Sequence, residues 1–156
     1  MSENPYPMIL TQVKAFFNRT IRNLDEEDSN FAPTPEAFTA AQQVAHTAQT
    51  IDWFVKGAFD PEGFSMDFEG AHKEISAVTS LSEAKAWFDR SMDNAVKVFE
   101  NRSMEEINQM IPKNPIINGP RHVIVGGISD HTAHHRGALS LYSRLCGKIP
   151  PMPYGE

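Results

Sequence analysis

Apolar residues recur at a helical period in four separate stretches of the chain. Over residues 7–25, Leu10, Val13, Phe17, Ile21 and Leu24 step by three or four positions, the spacing that lines one face of a helix. The acidic, polar run over residues 25–30 ends this first helix, and a loop follows through Pro33. Thr34 then suits an N-cap and Pro35 a first helical position. From there Ala37, Ala41, Val44, Ala48, Ile51, Val55 and Ala58 continue the period until Asp60, Pro61, Glu62 and Gly63 stop it. A third helix opens on Ser80-Leu81-Ser82-Glu83, a capping-box pattern, and carries Leu81, Ala84, Phe88, Met92, Ala95 and Phe99. A second such box, from Ser103 to Glu106, predicts a short extra helix as far as Ile111, before Pro112, Pro115, Gly119 and Pro120 break the chain. The last helix is expected over residues 120–145, closed by Gly147. The Pro-rich tail from Ile149 to Tyr154 cannot be helical.

Residues 60–79 fit neither period. Gly63, Gly70 and scattered aromatics read as a long irregular connection between the second and third helices, with room for strand-like or short helical pieces. A connection of that length is uncommon unless it does something, as part of a lid or of a dimer contact. Four helices and no strand pattern predict an all-α four-helix bundle.

Size and composition narrow the picture. With 156 residues, of which 40% are hydrophobic and 22% charged, the chain suits a single globular domain over residues 1–156. A net charge of −6 argues against nucleic acid as a partner. No apolar run reaches the roughly 18 residues of a membrane span, and residues 1–10 lack the basic-then-apolar order of a signal peptide. A lone cysteine, Cys146, excludes an intrachain disulfide and suits a reducing compartment. Together these features make the cytoplasm the expected location.

The candidate chemistry lies in the histidines. His131 and His135 are four positions apart on the last helix, which puts both imidazoles on one face, one turn apart, within reach of one ion. At about 100° per residue, Ile124, Ile128, Ala138, Leu139, Tyr142 and Leu145 fall within roughly 80° of His131. The pair therefore points into the bundle, where unpaired imidazoles are costly and a metal ion would partner both. His134 lies to the side and is expected to hydrogen-bond or face solvent. Catalytic metal sites usually take three protein ligands and leave one position open. His46 is the one histidine in the second helix, but it lies opposite the Ala41, Val44, Ala48, Ile51 stripe, beside Gln42, Gln49, Thr50 and Trp53. The period leaves two outcomes: that face looks into a polar cavity, or His46 is on the surface.

The segment His131-x3-His135-Arg136-Gly137 resembles the last-helix signature of the DinB/YfiT-like superfamily of helical metalloproteins. Val44-Ala45-His46-Thr47-Ala48 is similar to that family's single-histidine segment on its second helix. The ending from Gly147 to Gly155 is similar to its Pro-rich, Tyr-Gly tail. The resemblance implies a four-helix bundle, often a homodimer, with one divalent metal ion, zinc or nickel, held by His46, His131 and His135. Ala138 stands where the family often has glutamine.

The resemblance also implies chemistry. Relatives use a low-molecular-weight thiol as cosubstrate in transfer or isomerisation reactions, and a three-histidine ion with an open position suits thiol activation. The alternatives are hydrolysis by an activated water, or metal binding without turnover, in which Asp130, His134 or another acid would close the fourth position. Tyr142, two turns past His135 on the same face, is the candidate substrate contact. Mid-helix Gly137 suggests a close backbone approach, Arg136 a surface or interface ion pair, and Cys146 a structural thiol.

Overall fold

A computed structural model describes residues 4–155. Residues 1–3 and 156, which the single-domain and signal-peptide expectations included, lie outside the described residues. The described chain is all-helical, with α1 Tyr6–Thr20, a 3-10 turn Glu26–Asp28, α2 Ala40–Phe59, α3 Phe68–Ser76, α4 Leu81–Glu100, α5 Met104–Asn108 and α6 Val123–Leu145. The long helices α1, α4, α2 and α6 pack in a ring, each against two neighbours, with α2 against α4 the most extensive face. The expected apolar stripes fill the centre. Leu10, Phe17, Ile21 and Leu24 of the first segment, Val44, Ala48 and Ile51 of α2, and Leu81, Phe88, Met92 and Phe99 of α4 are all buried. Phe17 and Phe88 stack across α1 and α4, with ring centres 4.0 Å apart. Among the described residues no helix is long and apolar enough to cross a membrane.

The start of α2 differs from the reading. Thr34 and Pro35 belong to a turn, closed by the Ala37 N–H on the Thr34 carbonyl. The helix begins five residues later, capped by Thr39, whose hydroxyl accepts from the Gln42 N–H while the Gln42 side chain returns to the Thr39 N–H. This is a capping box, and Thr39-Ala40-Ala41-Gln42 was its sequence signal. Tertiary bonds fix the choice: the N–H groups of Ala40 and Ala41 donate to the carbonyls of Phe31 and Ser29 at 2.8 and 3.1 Å. These donors have no intrahelical acceptor at a helix start.

The connection after α2 is also more ordered than its composition suggests. It contains α3, whose N-cap Asp67 accepts from the Gly70 N–H at 2.8 Å. Phe68, Ala71 and Ile75 keep a helical spacing, which Gly70 in the first turn obscures because glycine is a poor helix former.

The end of α6 matches expectation. Gly147 takes a φ of 76°, while its N–H reaches the Arg144 carbonyl at 3.0 Å and the Lys148 N–H reaches Ser143 at 2.9 Å, the two bonds of a Schellman motif. Leu145, placed on the inward stripe by period, is 53% exposed, because the last turn runs past the bundle. The tail is tied back onto α1: Asn23 donates to the Ile149 carbonyl and Arg19 to the Pro153 carbonyl. Lys148 sits on Asp28 at 2.6 Å and on Asp25 at 2.9 Å. These contacts raise the Lys148 ammonium and hold the Asp28 carboxyl down against its own burial.

Two residues of α6 have surroundings that their types did not suggest. Among the described residues Arg136 pairs with no carboxylate; its guanidinium donates to the Tyr154 hydroxyl and lies over the Phe16 and Tyr154 rings. It thereby holds the tail. Gly137 meets no close backbone, since a Cβ added there would find no atom within 4 Å. Gly137→Ala therefore removes the helix-interior glycine penalty without a clash. It is expected to stabilise the fold by about 0.5–1 kcal/mol, which thermal unfolding would register as a rise of about 2–4 °C.

Candidate metal centre

Each histidine reaches the site for a separate reason. α6 crosses α2 closely at Gly127, where an added Cβ would come within 2.8 Å of the Phe54 ring. One turn later, His131 and His135 project towards α2. Their Nε2 atoms are 3.1 Å apart. His135 is 7% exposed and His131 partly buried.

His46 resolves the alternatives left by the period. Its ring centre lies 5.1 Å from that of His131 and 4.9 Å from that of His135. The alanine stripe of α2 packs into the core, and the opposite face, bearing His46, looks into a cavity roofed by α3. One potential ligand atom from each of the three histidines can be chosen so that all lie within 4.8 Å of one another, a group that can hold a metal ion.

The donor set fits that use. Two nitrogens bound at about 2.0–2.1 Å to a tetrahedral ion are about 3.3 Å apart, close to the observed Nε2 pair. Neutral imidazole is the ligating form. Burial, with the neighbouring histidines, pushes His131 down to about 4 and His135 to about 3, and burial also lowers His46. All three are therefore neutral at pH 7. The Nδ1 atoms of His131 and His135 have no hydrogen-bond partner among the described residues. With protons on both Nδ1 atoms, two Nε2 lone pairs face each other, and a cation between them relieves the repulsion. With a proton shared between the Nε2 atoms instead, one Nδ1 is left as an unpartnered acceptor and the other as an unpartnered donor, a costly arrangement in a buried site.

The cavity has a volume of about 690 Å³, within the usual range for small-molecule sites. His46 and His131 line it, whereas the more deeply buried His135 does not. Phe38, Trp53 and Phe68 form much of the apolar wall. None of these wall residues was singled out from sequence as functional. Trp53 was placed on the His46 face, but nothing local showed that α3 would fold over that face.

The other expected residues take lesser positions. His134 is exposed, with its ring centre 4.9 Å from His135. Tyr142 is buried and does not line the cavity; its hydroxyl donates to the Phe38 carbonyl at 2.8 Å. It thus fixes a wall residue that packs 5.3 Å from His46. Cys146 is partly buried beside Asp28, and burial raises its thiol.

A helical bundle with inward histidines on two facing helices defines a familiar class of metal-site protein. The DinB superfamily matches residues 9–139, and the chain belongs to that superfamily. None of the curated proteins matches its sequence. Among solved structures, the fold is similar to a DinB-like protein, YjoA, of Bacillus subtilis, with 14% identity, TM-score 0.66, and 96% of this chain and 99% of that one covered. It is also similar to a conserved protein of Enterococcus faecalis, with 16% identity, TM-score 0.67, and 92% and 96% covered.

The lowered histidines make an acid-stability prediction for the chelator-stripped protein. An unfolded histidine titrates near 6.5, so below that pH the unfolded chain binds protons that folded His131 and His135 refuse, down to about 4 and about 3. Stability therefore falls as pH drops through that window. In urea unfolding at pH 7, 6, 5 and 4, His135→Leu is expected to make the decline shallower by about 1 kcal/mol per pH unit.

Proposed function

We propose that this protein is a divalent-metal-dependent enzyme that binds one ion, zinc or nickel, through His46, His131 and His135. The substrate is a small molecule held in the adjoining cavity, and the chemistry is activation of a low-molecular-weight thiol for transfer to an electrophile. The observation that carries this reading is the convergence of three imidazoles within ligand reach of one ion, two of which line a cavity of about 690 Å³. A bound ion there supplies Lewis acidity, which lowers the pKa of a thiol or water placed on its open side.

The chain's own residues do the rest. His46 and His131 face the cavity while His135 does not line it, so a ligand reaches the ion from the cavity side. Tyr142 holds Phe38, which packs beside His46. Imidazole donors suit zinc and nickel better than the oxygen-seeking magnesium or calcium. A homodimer, as the family likeness implies, belongs to the same reading. The lone cysteine and the absence of a membrane-spanning helix suit a cytoplasmic setting.

The deciding measurement is metal content per chain, by elemental analysis of protein purified without a metal-affinity tag, for the wild type and for His46→Ala, His131→Ala and His135→Ala. The expected outcome is about one ion per chain in the wild type and loss of it in each variant, with helical circular dichroism retained. No ion in the wild type after incubation with zinc or nickel would sink the reading. An ion surviving only in His46→Ala would remove His46 from the ligand set. Loaded with cobalt(II), the protein should also show a thiolate-to-metal absorption band on adding 2-mercaptoethanol.

A further inference from the structure

We propose that the cavity beyond the histidines is a subsite for a flat apolar group. The ligand of this site would then carry a metal-binding head joined to an aryl body reaching about 10 Å along α2. This rests on the metal site proposed above and adds the substrate class. His46, Thr50 and Trp53 lie on one face of α2 and all line the cavity. Seven residues separate the first from the last, about 10 Å at the helical rise, which sets the distance from head to body.

The far end is built from aromatic surface. Trp53 packs against Phe64 at 4.8 Å and Phe68 at 6.5 Å. Phe64 rests directly on Gly57, where an added Cβ would overlap its ring. That close approach gives the interior glycine of α2 a reason, despite its cost of about 1 kcal/mol relative to alanine. Phe68 lines the cavity yet is 56% exposed, and neighbouring Met66 is 51% exposed. This is apolar area that nothing in the described chain covers.

Several polar groups of the wall already have partners. The Trp53 indole N–H donates to the Ser65 carbonyl at 2.9 Å. The Gln49 amide donates to the Ala71 carbonyl and to Glu74. Asp52 accepts from the Trp87 indole at 2.8 Å, and Asp67 caps α3. Lys56, the one lysine on the wall, stands 3.7 Å from Glu62. At 3.7 Å from Glu62, Lys56 is beyond hydrogen-bond distance, and Thr50 and His72 also line the wall, so the polar groups do not decide the ligand class. The uncovered faces of Trp53 and Phe68 do, and they suit an aryl body.

The test compares thiols on the cobalt(II)-loaded protein by titrating the thiolate-to-metal band with 2-mercaptoethanol, 3-mercaptopropionate and 4-phenylbutane-1-thiol. The phenyl thiol should bind about thirtyfold tighter than 2-mercaptoethanol, the gain expected from burying one ring. 3-Mercaptopropionate should show no advantage. In Phe68→Ala, an exposed position, the affinity ratio of the phenyl thiol to 2-mercaptoethanol should fall below about threefold. Equal affinities across the series, or an advantage untouched by Phe68→Ala, would overturn the proposal.

A second arm does not depend on metal. 4-Phenylbutan-1-ol is added to the protein as purified, in a Trp87→Phe background where Trp53 is the sole indole. A saturable change in emission that is lost in Phe68→Ala is expected. No saturable change, or one that Phe68→Ala leaves intact, would overturn the aryl subsite even if no thiol gave a band. A saturable change without any thiolate band would instead uphold the subsite and count against the metal-thiol reading.

Discussion

The structure turns on the two-sided burial of α2. One face carries Ala41, Val44, Ala48 and Ile51 into the core against α4, where small side chains let the helices approach closely. The other carries His46, Thr50 and Trp53, which a core helix would ordinarily leave in water. Placing α3 over that second face converts a polar surface into the wall of a cavity. The approach of α2 to α6 at Phe54 and Gly127 then brings His46 to the histidine pair. Were α2 packed on one side only, His46 would be a surface residue and the pair on α6 an isolated, incompletely satisfied polar feature in an apolar core.

The three imidazoles and the cavity answer to the same burial. Loss of solvent lowers the histidines into their neutral, ligating form and leaves their nitrogens short of partners. Burial is the first cause of the lowered values for each member of the group, and the neighbouring imidazoles reinforce it. Sequence-distant contacts maintain the enclosure: Tyr142 on Phe38, Trp53 on Ser65, and Phe64 on Gly57. The tail clasp by Arg19, Arg136 and Lys148 closes the opposite side of the bundle and leaves the cavity mouth free.

Membership of the DinB superfamily and the likeness to two bacterial structures agree with the all-helical fold. The residues of this chain add what a fold alone does not carry: a donor set suited to a divalent ion, and a distal surface with uncovered aromatic faces.

The sequence by itself determined the four long helices, the cap at Ser80, the glycine stop at Gly147 and the inward direction of His131 and His135. These follow from helical period, capping chemistry and positive φ, which are local properties. It left His46 open, allowed short helical pieces over residues 60–79 without placing α3, and started α2 at Pro35 rather than at the box headed by Thr39. Those outcomes depend on which distant groups meet. Carbonyls of Phe31 and Ser29 accept the first free N–H groups of α2, and α3 covers a face that periodicity reads as exposed. A helical period reports that a residue lies opposite the core; only the tertiary structure decides whether water or another helix lies beyond it.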